Sequence, residues 1–196
     1  MCGVFCVDDD TAREIESMVR KVDAQLKKQR GTRDIRPTDT ATIISADNNG
    51  LIAKFQKRGF PRYGDQKVII NARSESVLEK RMFQNCVLHR RIVIPAAGFY
   101  EWNAQKEKVT FTASQNKQPL FLAGFCGHFE GEDRFVILTT RANETMRTVH
   151  DRMPLVLEHH EIEEWLLENK KLNEFLKKIP PALQKKQEYE QQKLLF

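Results

Sequence analysis

The chain has 196 residues, a net charge of +5, 40% apolar and 30% charged residues, and four cysteines. That length carries one soluble globular domain with its own core and leaves little room for a second. No apolar run approaches the ~18 residues of a membrane span, and no leader pattern opens the chain, so the reading predicts no membrane partner and a cytoplasmic setting, nucleoid-associated in a bacterium.

In such a reducing compartment Cys2, Cys6, Cys86 and Cys126 read as thiols, not as a disulfide framework. The positive excess, much of it in "KKLNEFLKKIPPALQKKQ", leans mildly toward polyanions, although a solvated helix face and a frayed tail are the plainer account of such a run.

"VFCV" suits a short buried strand. Thr11 and Glu14 form a T-x-x-E capping box, and Ile15, Met18, Val19, Val22 and Leu26 recur at helical spacing, which predicts a helix over 11–29 ended by Gly31. "RDIRPTDTATIIS" is a loop entering a strand, "DNNG" a turn and "LIAKF" a second strand. The loop "QKRGFPRYGDQK" interleaves glycine, proline and basic residues with aromatics. "VIINARSES" begins as a strand, and Ser76 with Glu79 predicts the cap of a second helix carrying Val77, Leu78, Met82 and Cys86. β-rich runs follow in "RRIVIPAAGFYEW", "KVTFTAS", "PLFLAGFCGHFE" and "RFVILTTRA", with "MPLVLE" as a last short strand. From Glu161 a helix carries Ile162, Trp165, Leu166, Phe175 and Leu176 until "IPP" stops it. About seven or eight strands and three or four helices, without βαβ alternation, predict an α+β class. The expected architecture is a single domain over 1–180, a mainly antiparallel sheet or open barrel with flanking helices, followed by a basic, polar tail over 181–196.

Four places can carry chemistry: Cys2-Gly3, "NARSE" at 71–75, "GFYEW" at 98–102 and "HDRMP" at 150–154. Each has a plain reading beside a functional one. Cys2 is either a small residue entering a strand or, once Met1 is gone, a terminal residue with a thiol and a free α-amine on adjacent carbons. Glu101 is a rim carboxylate or a proton acceptor, His150 a structural or a titrating imidazole, and Asn71 and Arg73 turn residues or ligands. No spacing matches a zinc site, because Cys2–Cys6 is C-x₃-C without a second pair, so no metal or other cofactor is expected.

Taken in order, "MCG", "RPT", "NARSE", "RRIVIPAAGFYEW", and "TTRAN" followed by "VHDRMP" resemble the signatures of the SRAP (SOS response-associated peptidase) family of abasic-site processing proteins. The resemblance covers most of residues 1–157. It implies an SRAP-like fold, recognition of abasic sites in single-stranded DNA, removal of Met1, and a covalent DNA–protein crosslink through Cys2 that shields the damage. Associated strand cleavage and self-processing belong to the same expectation, with a monomer as the expected state.

The chemistry agrees with the residues. A neutral α-amine, with an ordinary pKa near ~7.7–8.0, adds to the abasic aldehyde and loses water, and the neighbouring thiol then closes a thiazolidine ring. Under the resemblance Cys2, Asn71, Glu101 and His150 form the catalytic set, and Gly3, Arg58, Phe60, Arg73, Arg81, Thr139 and Arg152 contact DNA. Two positions depart from the family pattern. Val4 replaces a common arginine after "MCG", and Arg58 stands where a tryptophan often precedes the glycine, so Arg58, Phe60 or Tyr63 is expected to supply the stacking platform. The alternatives are a noncovalent binder of single-stranded or modified DNA with an inert Cys2, and a cysteine-dependent N-terminal-nucleophile peptidase.

Overall fold

Strands rich in β-branched and aromatic residues carry the architecture. The structure, a computed structural model, describes residues 3–19, 31–65, 67–114 and 118–187. Within these the chain forms β1 (Val4–Val7), α1 (Asp9–Met18), β2 (Arg33–Ile35), β3 (Thr40–Asp47), β4 (Gly50–Arg58), β5 (Phe60–Pro61), β6 (Val68–Ile69) and β7 (Asn71–Arg73). There follow α2 (Arg81–His89), β8 (Arg91–Ala96), β9 (Gly98–Trp102), β10 (Lys108–Ala113), β11 (Leu120–Phe129) and β12 (Glu132–Arg141). The last part adds α3 (Glu144–Arg147), β13 (Arg152–Pro154), β14 (Val156–Leu157), α4 (Ile162–Leu167), α5 (Leu172–Lys177) and β15 (Leu183–Gln187).

Pairing runs from β12 through β4, β3, β8 and β11 and back to β12, so five strands close into a barrel. Closure leaves those strands without free edges. β7 and β13 also pair with β12, and β14 with β11. A second, antiparallel sheet has the order β15-β10-β9-β1-β2. Alternation along the barrel strands splits the core in two. Ile43, Ile92, Ile94, Leu122 and Ile137 join Phe5, Phe99 and Phe111 of the second sheet. Their neighbours Ile44, Val93, Ala123, Val136 and Leu138 instead meet the helices through Ile15, Val87, Ile162 and Trp165. With both faces covered, β8 is buried along its whole length, which is why it reads as an apolar run from Ile92 to Ala96 after the buried Arg91.

The fold is a mixed α+β domain with mostly antiparallel pairing, as expected, while several boundaries differ. Asp8, not Thr11, caps α1: its carboxylate accepts the Thr11 backbone N–H at 2.8 Å and the Thr11 hydroxyl at 2.7 Å. α1 ends at Met18, because Val19 is extended (φ −106°, ψ 138°), and the rest of the expected helix lies outside the described residues. Ser74–Ser76 form a 3₁₀ turn, and α2 starts only at Arg81, after the extended Lys80 (φ −92°, ψ 115°). The helical stretch after Glu161 is two helices, split where Glu168 is extended (φ −95°, ψ 96°). The segment expected as a tail opens with β15, which pairs with β10 from Leu183↔Ala113 to Gln187↔Val109. Residues 188–196 lie outside the described part.

Candidate active site

The barrel and the second sheet meet where the chain begins. β1 runs antiparallel to β9 with Val4 opposite Tyr100, where the ladder ends: Gly3 precedes Val4 on one strand and Glu101 follows Tyr100 on the other. Glu101 is only 4% exposed. Among the described residues other than its chain neighbours, none has an atom within 4 Å of where a Cβ on Gly3 would stand. Cys2, the expected nucleophile, lies outside the described residues.

Arg58, at the end of β4, departs from expectation. It is fully buried, and its Nη1 donates to the Gly3 carbonyl at 2.9 Å and to the Ile35 carbonyl at 3.0 Å. Its guanidinium carbon lies 5.0 Å from the centre of the Phe5 ring. A guanidinium held in this way has no face to offer a DNA base. Phe60 is corrected in the same direction. It sits in an aromatic cluster, its ring centroid 4.6 Å from Phe129 and 5.8 Å from Phe125. The apolar ring goes inward because Gly59 (φ 100°) turns the chain there, with its N–H bonded to the Phe135 carbonyl at 2.7 Å. Tyr63 is the aromatic of this loop that faces solvent, 83% exposed.

Asn71 and Arg73 lie on β7, parallel to β12, with Asn71 opposite Ile137 and Arg73 opposite Thr139. Arg58 is paired with Phe135, two residues earlier on the same strand. Arg58 and Asn71 therefore follow one another along β12, separated by about 7 Å of strand rise. The half-buried Asn71 and the exposed Arg73 line a cleft of about 610 Å³ with Ile69, Lys80, Met82, Phe83 and Thr139. Lys80 is exposed and carries no signal in the sequence; its placement beside the uncapped start of α2 is what brings it into the site. Arg81 is exposed in the first turn of that helix. Cations beside a helix N-terminus favour an anion there.

Thr139 and Arg152 are placed differently from expectation. Thr139 is fully buried, its hydroxyl donating to the Ala72 carbonyl at 3.3 Å. Arg152 donates through Nη1 to Glu75 Oε1 at 2.5 Å, and through Nη2 to Glu75 Oε2 at 2.9 Å and the Thr139 carbonyl at 2.7 Å. This fork-to-fork pair occupies the guanidinium that was expected to meet phosphate. The hydrogen bonds from Arg152 hold the Glu75 carboxyl below its ordinary value.

His150 stands two residues before Arg152, in the turn that leads into β13. Its Nδ1 accepts the Arg152 backbone N–H at 3.0 Å and lies 2.8 Å from an Asp151 carboxylate oxygen. An Nδ1 that accepts from the backbone leaves Nε2 to carry the ring proton.

Elsewhere, Cys6 lies on β1 within the second sheet, its Sγ donating to the Gly98 carbonyl at 3.5 Å, and burial pushes its thiol upward. Tyr100, on the neighbouring strand, is also raised, chiefly by burial and then by its bond to Cys6. Among the described residues Glu158, His160 and Glu161 bring donor atoms within 4.8 Å of one another. Those two glutamates cap the 3₁₀ turn before α4, and Lys178 already pairs with Glu161, so their carboxylates serve the fold.

Comparison with known proteins places the chain. It is 33% identical over 136 residues to the abasic site processing protein YoaM of Bacillus subtilis, covering 63% of this chain and 60% of YoaM. Against the abasic site processing protein YedK of Escherichia coli it is 34% identical over 112 residues, covering 54% of this chain and 50% of YedK. The chain thus spans about three fifths of YoaM's length and half of YedK's. A protein of Bacteroides thetaiotaomicron shares the fold, with a TM-score of 0.80 and 18% identity over 96% of this chain and 93% of that one. A phage-related protein of Bordetella bronchiseptica does likewise, with a TM-score of 0.76 and 21% identity over 95% and 93% of the two chains. The profile of the SOS response associated peptidase (SRAP) family matches residues 1–193, and the chain belongs to that family.

Proposed function

We propose that this protein recognises abasic sites in single-stranded DNA and captures them covalently through Cys2 after Met1 is removed. The observation that carries the reading is a convergence along β12. There Arg58 holds Gly3, the residue after the nucleophile, and Asn71 follows on the next stretch of the same strand edge. Beyond it Arg73, Lys80 and Arg81 form an exposed cationic rim where a phosphate backbone can run. The names of the curated relatives supply the kind of damage.

The opened sugar presents an aldehyde at C1′. The α-amine of Cys2 adds to that carbon, and the resulting carbinolamine loses one water to give an imine. The thiol sulfur then bonds to the imine carbon while its proton passes to the nitrogen, which closes a five-membered thiazolidine. The net change is the loss of one water. Ring closure is intramolecular, and effective molarities of ~10⁵–10⁸ M drive the reversible imine forward. An internal cysteine lacks this route, because its nitrogen is an amide.

Glu101 accepts the ammonium proton, Asn71 orients the amine or a sugar oxygen, and His150 passes a proton to the ring oxygen as the sugar opens. Among the described residues nothing beyond its chain neighbours crowds the Cβ position of Gly3, where the sugar can approach. Exposed Tyr63 is the ring available for stacking in the loop after β4. The imine also acidifies the C2′ hydrogens, so slow β-elimination of the strand accompanies capture.

One gel tests the reading. The protein is incubated with a single-stranded oligonucleotide containing one abasic site, then denatured and heated. A shifted band that survives supports capture. Migration as free DNA, with binding intact before denaturation, would instead make this a noncovalent binder.

A further inference from the structure

We infer that the cleft between the 3₁₀ turn at Ser74–Ser76 and α5 is a further subsite for the same single strand, holding an unpaired nucleobase against its apolar lining and a phosphate at its rim. The inference rests on the DNA reading above but uses none of the groups that carry the covalent chemistry. The cleft has a volume of about 900 Å³, and Leu78, Leu176 and Ile179 supply its apolar lining. Ile179 is 79% exposed, yet its backbone is held on both sides. Lys178 before it pairs with Glu161, and Pro180 after it confines its backbone to extended conformations. The Pro180 and Pro181 carbonyls in turn accept from Asn143 Nδ2 at 3.2 and 2.7 Å. Aliphatic side chains presented in this way pack against base faces. The rim favours an anion. Glu75 is engaged by Arg152, Glu144 by Arg147 and Lys178 by Glu161. Arg141, Lys177 and Glu79 form no ion pair among the described residues, which leaves two cations against one carboxylate.

The cleft also continues the one beside Asn71. Arg141 stands two residues beyond Thr139 on β12, and Thr139 is opposite Arg73. Strand alternation therefore puts Arg73 and Arg141 on one face, about 7 Å apart along the strand. Segment 71–79 walls both clefts, with Arg73 in the first and Leu78 in the second. A strand whose phosphate lies at Arg73 thus meets Arg141 as its next cation, beside an apolar lining for the neighbouring base.

The test uses strands carrying a tetrahydrofuran analogue of the abasic site, which has no aldehyde and keeps binding reversible. One strand has short flanks; in the others the 5′ or the 3′ flank is lengthened by several nucleotides. Anisotropy titrations of the full chain should show tighter binding with one lengthened flank. Ile179→Ser and Arg141→Gln should each weaken binding of that longer strand by about 3–30-fold, the range for losing one apolar contact or one phosphate contact, and leave the short strand unchanged. Arg141→Gln should also lower the salt slope by about 0.7 on the longer strand alone, and Glu79→Gln should tighten its binding. All three residues are exposed, so the variants keep the fold. Equal affinity of the wild type for every strand, or a flank effect that survives both Ile179→Ser and Arg141→Gln, overturns the inference; in the second case the apolar lining is left to a protein partner. A wild type that binds none of the strands brings down the DNA reading as well, whereas variants that match a flank-sensitive wild type sink the subsite alone.

Discussion

Arg152 and Glu75 face each other fork to fork, with Nη1–Oε1 at 2.5 Å and Nη2–Oε2 at 2.9 Å. The arginine side chain is 10% exposed and the glutamate 41%, so the pair sits at the boundary of the interior. Removing the carboxylate in Glu75→Ala leaves a nearly buried cation with fewer partners, and we expect a loss of about 1–3 kcal/mol, moderated by the water that reaches this position. The sign with pH follows from the lowered Glu75 carboxyl. Its contribution is fully present above the unfolded value of ~4.3 and is lost as pH falls through the lower folded value. Urea denaturation of wild type and Glu75→Ala should therefore differ at pH 7 and converge below about pH 4. A gap that persists at acid pH would show that the pair is not its source.

The same geometry divides the arginines. Arg73 and Arg81 are exposed, and each is expected to contribute to the salt dependence of binding. Arg73→Gln or Arg81→Gln should lower the slope of log affinity against log salt by about 0.7 per lost phosphate contact. Arg152→Met should lower stability and leave that slope unchanged. Anisotropy titrations over a range of sodium chloride read the difference, and a flat wild-type response would remove the phosphate roles altogether.

Thiol reactivity separates Cys2 from two of the other cysteines. Burial raises the thiols of Cys6 and Cys86 above their ordinary range. Iodoacetamide at pH 7 should accordingly modify Cys2 first, with Cys6 and Cys86 gaining reactivity only as pH climbs past the ~8.5 of an ordinary free thiol. Peptide mapping after brief labelling checks the order. Labelling of Cys6 as fast as Cys2 at neutral pH would contradict it.

His150 is assigned to proton transfer. His150→Ala should keep noncovalent affinity and slow crosslink formation or reversal by about 10²-fold. Single-turnover kinetics in both directions decide this, and unchanged rates would strip the imidazole of the role.

The class of fold was legible because the β-rich runs and their turns are strong local signals, and α1 and α2 were visible from their apolar spacing. Helix boundaries were less so. No glycine or proline marks the break at Lys80 or at Glu168; tertiary packing extends the backbone there. β15 was hidden because Leu183–Gln187 carries one buried residue among polar ones, and its strand form depends on pairing with β10. At the candidate site the sequence pointed to Asn71, Arg73, Glu101 and His150 as residues of interest. It could not tell exposed from buried guanidinium groups. Arg58 and Arg152 look like Arg73 in the sequence, and only the strand register shows that two carbonyls hold the first and Glu75 the second. Lys80 was passed over because a lone lysine carries no local signal until the cleft beside Asn71 places it.

Intact mass spectrometry of the denatured product is the most direct measurement of the central claim. Wild-type protein incubated with an abasic oligonucleotide should give a species equal to the chain without Met1 plus the oligonucleotide minus one water, and Cys2→Ala should give none that survives heating. Retention of Met1 in the product, or an equally stable adduct from Cys2→Ala, would contradict capture by a terminal aminothiol.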